Sequence, residues 1–157
     1  ANRLASNSLL EAAVYAGRAA RHATDTVSQQ QANARDEIPE WDAGTATNSD
    51  EMVVVSQNWD EIRRCMWNYV GIVRTTIRLE RAMRRIKLIQ AEIEDYYWNF
   101  IITSDLVELR NIATISELII TCAQQRKESR GLHYTIDDPE RDDTNGKQDT
   151  IIKKQFA

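Results

Sequence analysis

After Met52 the sequence carries three consecutive runs of apolar residues at helical spacing, separated by only a few residues each, and this limits the available folds more than any other feature. In the first run, about residues 58–70, Asn58 and Glu61 have capping-box spacing, and Ile62, Cys65, Met66, Tyr69 and Val70 repeat at helical intervals. Gly71 and the Thr75-Thr76 pair interrupt it. The second, about 76–100, places Leu79, Met83, Ile86, Ile93 and Tyr97 on one stripe, broken by Gln90, with charge on the opposite side. The third, about 104–129, turns Leu106, Leu109, Ile112, Ala113, Ile119 and Cys122 inward. Arg126, Lys127 and Arg130 lie near its C-terminal end, where cations suit the helix dipole, and Gly131 reads as its stop. Helices of this length with such short connections bury their stripes by packing antiparallel. The predicted fold is therefore all-α, an antiparallel three-helix bundle of the spectrin-repeat kind. "EMVVVSQ" and "NFIITSD" are rich in β-branched residues but short, and read as extended connectors.

Ahead of the bundle, residues from Ser6 to about Thr24 are nearly all helix formers. Ala12, Ala13, Ala16, Ala19, Ala20 and Ala23 give this helix a thin surface suited to close packing. Residues 26–50, polar apart from groups such as Ile38 and Trp41, read as a long linker, and 136–157 as an irregular tail after a bundle over 51–135. A length of 157 residues supports one core, and no apolar run approaches a membrane span, so a soluble chain without membrane contact is expected. The chain begins Ala1-Asn2-Arg3, which is expected of a chain processed or cut from a longer one. Cys65 and Cys122 lack CxxC spacing and read as reduced, buried thiols; with no signal peptide apparent, a cytoplasmic setting is expected.

Four places offer chemistry. Trp59, Trp67, Tyr69, Tyr96, Tyr97, Trp98 and Phe100 cluster at helix ends and are better explained by packing than by a ligand platform. Arg74, Arg78, Arg81 and Arg85 follow spacings that put all four on one helical face, a surface for an acidic partner or nucleic acid. The net charge of -4 and the acidic residues on the same helix argue against nucleic acid, so a solvated or docking face is preferred. In "ESRGLHYTIDDPERDD", His133 beside Tyr134 is a candidate acid–base pair, and Asp137, Asp138, Glu140, Asp142 and Asp143 are candidate cation ligands. The spacing matches no EF-hand loop, and an acidic structural loop without metal is the preferred reading. Finally, Ser6, Asn7 and Ser8 are residues that start a helix, whose first amides attract anions, and Arg3 carries a fork suited to a carboxylate. This end of the chain is either an anion-binding edge or an ordinary capped helix with a solvent-facing arginine.

"NRLASNSLLE" resembles the segment that the succinate dehydrogenase and fumarate reductase flavoprotein family places against its FAD. "MWNYVGIVRTTIRLERAMRRI", "YYWNF", "DLVELRN" and "ESRGLHY" resemble the C-terminal part of the L-aspartate oxidases within that family. The likeness covers Asn2 to about Pro139. It implies that residues 1–25 are the end of an FAD-binding domain, that Arg3 clamps a carboxylate of the dicarboxylic substrate, and that the main chain of Ser8 and Leu9 touches the flavin ring. The implied reaction is oxidation of L-aspartate to iminoaspartate with FAD, reoxidised by oxygen or fumarate, feeding quinolinate synthase in NAD biosynthesis. The implied partners are the chain's own FAD-binding domain, L-aspartate or fumarate, and quinolinate synthase. No GxGxxG fingerprint occurs in the sequence, so the chain alone is expected to be inactive and free of FAD, and its alanine-rich helix to fray or self-associate.

Overall fold

The structure, a computed structural model, describes residues 7–29, 39–48 and 52–153. Arg3 lies outside them. The chain divides into two compact units, Ala1–Asp42 and Ala43–Ala157.

In the first unit, α1 (Asn7–Gln29) runs about a turn beyond the expected end at Thr24. The hydroxyls of Thr24 and Thr26 donate to the carbonyls of Ala20 and His22, at 2.9 and 2.7 Å, so these polar side chains are accommodated one turn back along the helix rather than ending it. Leu9, Leu10, Val14, Tyr15 and Val27 are exposed.

The second unit holds α2 (Met52–Tyr69), β1 (Val73–Arg74), α3 (Thr76–Asn99), α4 (Ser104–Gln125) and β2 (Tyr134–Thr135). The three helices form the antiparallel bundle. Arg85 of α3 pairs with Glu61 of α2. Between α3 and α4, the Lys87 ammonium meets Glu117 at 2.5 Å and Arg110 donates to the Tyr97 hydroxyl at 2.9 Å. As one helix advances its partner retreats, which only antiparallel neighbours do.

Buried positions recur at alternating spacings of three and four: Val55, Asn58, Ile62 and Cys65 on α2, Leu79, Ala82, Ile86, Ile89 and Ile93 on α3, and Leu106, Leu109, Ala113, Ser116, Ile120 and Ala123 on α4. That is the seam of a left-handed coiled coil. Three sequence expectations are corrected by it. "EMVVVSQ" is helical from Met52 onward, because Val55 occupies a seam position and its burial outweighs the small helix penalty of β-branched residues. Asn58 is not a cap but a buried seam residue, 4% exposed, whose Nδ2 has no hydrogen-bond partner. On α4 the seam runs through Ser116, Ile120 and Ala123, while Ile119 is exposed and Cys122 half-buried.

The joints are capped locally. Thr75 and Thr103 accept from the amides of Arg78 and Leu106, at 3.2 and 3.3 Å, starting α3 and α4. "NFIITSD" is extended as expected: Thr47 exchanges backbone hydrogen bonds with Asn99 and Ile101 across it. α4 stops at Gln125, short of the expected Ser129, because Arg126 leaves the helix to bond with the tail. Gly131, with φ of 59°, instead forms the turn in which Arg130 and His133 exchange backbone hydrogen bonds at 2.8 and 3.1 Å. β1 and β2 pair in parallel, joining the α2–α3 connection to the chain after α4.

Candidate functional site

Two of the sequence-predicted site residues, Ser8 and Leu9, lie in the first turn of α1 as described. Amides of a helix's first turn have no acceptor within the helix and carry its positive dipole end. Leu9 is 81% exposed, so an apolar side chain stands free at the same end. Main-chain donors beside an exposed apolar side chain are compatible with the polar edge and flat face of a flavin ring, and equally with an ordinary helix start.

The arginine stripe is not continuous. Arg74 precedes α3 and turns back onto the end of α2: its Nε donates to the Gly71 carbonyl at 2.9 Å and its Nη2 to the Val70 carbonyl at 3.2 Å. Its Nη1 donates to His133 Nδ1 at 2.7 Å. Burial pushes the Arg74 guanidinium below its usual range. Arg85, though exposed, is paired with Glu61, leaving Arg78 and Arg81 as the exposed members outside any ion pair among the described residues. A residue spent on capping a neighbouring helix contributes no charge to a partner-binding face, and the four-arginine surface expected from spacing is corrected accordingly.

His133 and Tyr134 do not act together. Arginine only donates, so His133 Nδ1 accepts and the neutral ring carries its proton on Nε2. Burial, and secondarily the nearby Arg74, lower the His133 pKa. The Tyr134 side chain is exposed.

The acidic stretch turns to protein donors. Asp137 accepts the Thr76 amide at 2.5 Å, which adds a carboxylate to the start of α3, and that amide holds its pKa down. Asp142 accepts the amides of Thr144 and Asn145 at 3.0 and 2.9 Å, and the Asn145 amide is the main cause of its lowered pKa. Asp143 takes Arg130 Nη2 at 2.6 Å. Among the described residues no group of three or more metal-ligating side chains converges.

Sequence reasoning missed the residue that organises this region. Glu128 is 1% exposed, and its carboxylate accepts from Arg126 Nη1 at 2.5 Å, Arg130 Nε and Nη2 at 2.8 and 2.9 Å, and the Asp142 amide at 2.9 Å. The Arg130 fork, ahead of the other donors, lowers its pKa to about 2. Arg126 extends the network to the carbonyls of Gly146 and Gln148 at 2.8 and 2.7 Å. The one signal available was Glu128 sitting between Arg126 and Arg130; the tail residues that complete the cage are remote in sequence and follow no period.

The aromatics divide. Trp59, Tyr96 and Tyr97 pack against the core, and Tyr96 and Phe100 stack with ring centroids 4.4 Å apart. Trp67 and Trp98 are exposed. No helix among the described residues is long and apolar enough to cross a membrane.

A family profile described as the fumarate reductase flavoprotein C-terminus matches residues 59–157, covering α3, α4, the tail and most of α2. This chain belongs to that flavoprotein family. Among its members, similar relatives are the L-aspartate oxidase of Acinetobacter baylyi, 55% identical over 89% of this chain and 25% of that protein, and that of Yersinia pestis, 53% identical over 97% and 28%. The chloroplastic L-aspartate oxidase of Arabidopsis thaliana is 35% identical over 88% of this chain and 23% of that protein. The chain thus spans about a quarter of the length of these relatives. A solved structure of E. coli quinol fumarate reductase FrdA shares the fold, with a TM-score of 0.51 and 23% identity over 65% of this chain and 18% of that one. The flavoprotein C-terminal fold is therefore that of the bundle described above.

Proposed function

We propose that this chain is the C-terminal part of an FAD-dependent L-aspartate oxidase, an oxidoreductase that converts L-aspartate to iminoaspartate. The observation that carries this reading is the 53% identity to an L-aspartate oxidase over 97% of the chain, which takes in the start of α1. Bound FAD would supply the acceptor for a hydride from the substrate α-carbon, with oxygen or fumarate as the final electron acceptor. The chain's own residues bind and orient. The Ser8 and Leu9 amides, fixed by the helix, would hold the polar edge of the ring and favour negative charge there. Arg3, outside the described residues, would clamp a substrate carboxylate with its planar donor fork. The FAD-binding domain of the same protein supplies the dinucleotide site.

The test is to express the complete reading frame containing this chain, measure flavin absorbance and L-aspartate oxidation, and then replace Arg3 by leucine. Retained flavin with dicarboxylate turnover reduced by roughly a hundredfold or more is expected, since a bidentate arginine contact to a charged group is lost. A colourless intact protein, or unchanged kinetics in the Arg3→Leu variant, would overturn the reading.

A further inference from the structure

A groove of about 610 Å³ lies between α2 and α3, with Arg64, Asn68 and Tyr69 from one helix and Arg81 and Arg85 from the other among its lining residues. This volume is that of a small-metabolite site. The charges along it are unequally matched. Glu61 is taken by Arg85, and Asp60 lies 3.9 Å from Arg63 on the same helix. Among the described residues neither Arg64 nor Arg81 is in an ion pair.

Their placement follows from the antiparallel packing. One helical turn from Glu61 toward the α2–α3 connection is Arg64, and one turn from Arg85 toward the same connection is Arg81. The two unmatched guanidinium groups therefore flank one level of the groove from opposite helices. Like charges so placed repel, and a ligand that brings two negative charges between them removes that repulsion while engaging two planar donor forks. The amide of Asn68 and the phenol of Tyr69 line the same groove one turn farther on and supply neutral hydrogen bonds.

We propose that the α2–α3 groove binds a small dianion, a phosphate group or a dicarboxylate, between Arg64 and Arg81. The chemistry is common to both ligand types: paired oxygen acceptors with a charge of about -2 near neutral pH. An acidic side chain of another protein would bring a single charge and leave one guanidinium unmatched.

The experiment is a titration of the 157-residue chain, followed by amide and arginine side-chain NMR signals at constant ionic strength, with inorganic phosphate in one arm and succinate in the other. Saturable shifts centred on Arg64, Asn68, Tyr69 and Arg81 are expected in at least one arm. Saturation by inorganic phosphate alone assigns a phosphate-bearing ligand, and by succinate alone a dicarboxylate. Arg64→Gln and Arg81→Gln should each weaken binding by about tenfold or more, the loss expected for a charge-assisted contact, whereas Arg78→Gln should not. Should a glutamine variant lose helical circular dichroism, the lysine variant at that position, which keeps the charge without the fork, takes its place. Shifts that stay linear in both arms, or equal weakening by Arg78→Gln, would overturn the proposal.

Discussion

A single carboxylate carries more of the ordered tail than any apolar residue does. Glu128 is held by two arginines and a backbone amide, and Gly146 lies so close that a Cβ there would run into its carboxyl group. That group is normally the free end of a flexible side chain, but here four donors pin it. Gly146→Ala should therefore open the tail, seen as rapid amide exchange at Gly146 and Gln148 with bundle amides still protected. The titration follows from two depressed pKa values. The unfolded glutamate takes up its proton near 4.5 and the folded one near 2, so the stability Glu128 supplies is complete above about pH 4.5 and lost as pH falls toward 2. His133 acts earlier in the same direction. Its folded pKa lies below 6.5, so the unfolded chain binds the proton first and stability declines as pH drops below that value. Tail amide protection measured from pH 7 to pH 3 should fall in two stages, and His133→Gln should remove the first. None of this was legible beforehand: "ESRGLHYTIDDPERDD" displays its charges, but which ones meet depends on irregular backbone with no period to read.

Elements were far more legible, because burial in a bundle leaves a periodic mark. The existence and order of α2, α3 and α4 follow from apolar spacing, and the caps Thr75 and Thr103 sit at the expected joints. Errors arose where two faces of one helix are apolar. On α4 Ile112, Ile115, Leu118 and Ile119 compete with the true seam, whose small members Ser116 and Ala123 are inside because the helices approach closely there. Seam truncation should be costly: Ile86→Ala or Ile120→Ala should destabilise the bundle by about 2–5 kcal/mol in urea unfolding, and Ile119→Ala by well under half of that. Asn58 is the opposite case. Its amide has a buried unpartnered donor, and Asn58→Leu should raise stability by about 1–3 kcal/mol, read as a higher urea midpoint. The first turn of α1 was assigned to a flavin through resemblance alone; its own residues read equally well as an ordinary helix start.

At the scale of the molecule, the tail belongs to the bundle rather than trailing from it. Val73 and Arg74 pair with Tyr134 and Thr135, Asp137 seats on the start of α3, and Arg74 bridges the end of α2 to His133. A chain ending at residue 127 should keep its helices by circular dichroism yet unfold at lower urea than the full chain, with exchange accelerated first around Gly71 and Thr76. The parallel pair also imposes an order in time. Helical turns and the two short joints close over a few residues, whereas β1 cannot find β2 until the sixty or so intervening residues have been made and their loop closed. During synthesis the α2–α3 corner therefore waits, unlatched, until the chain has been made past Thr135.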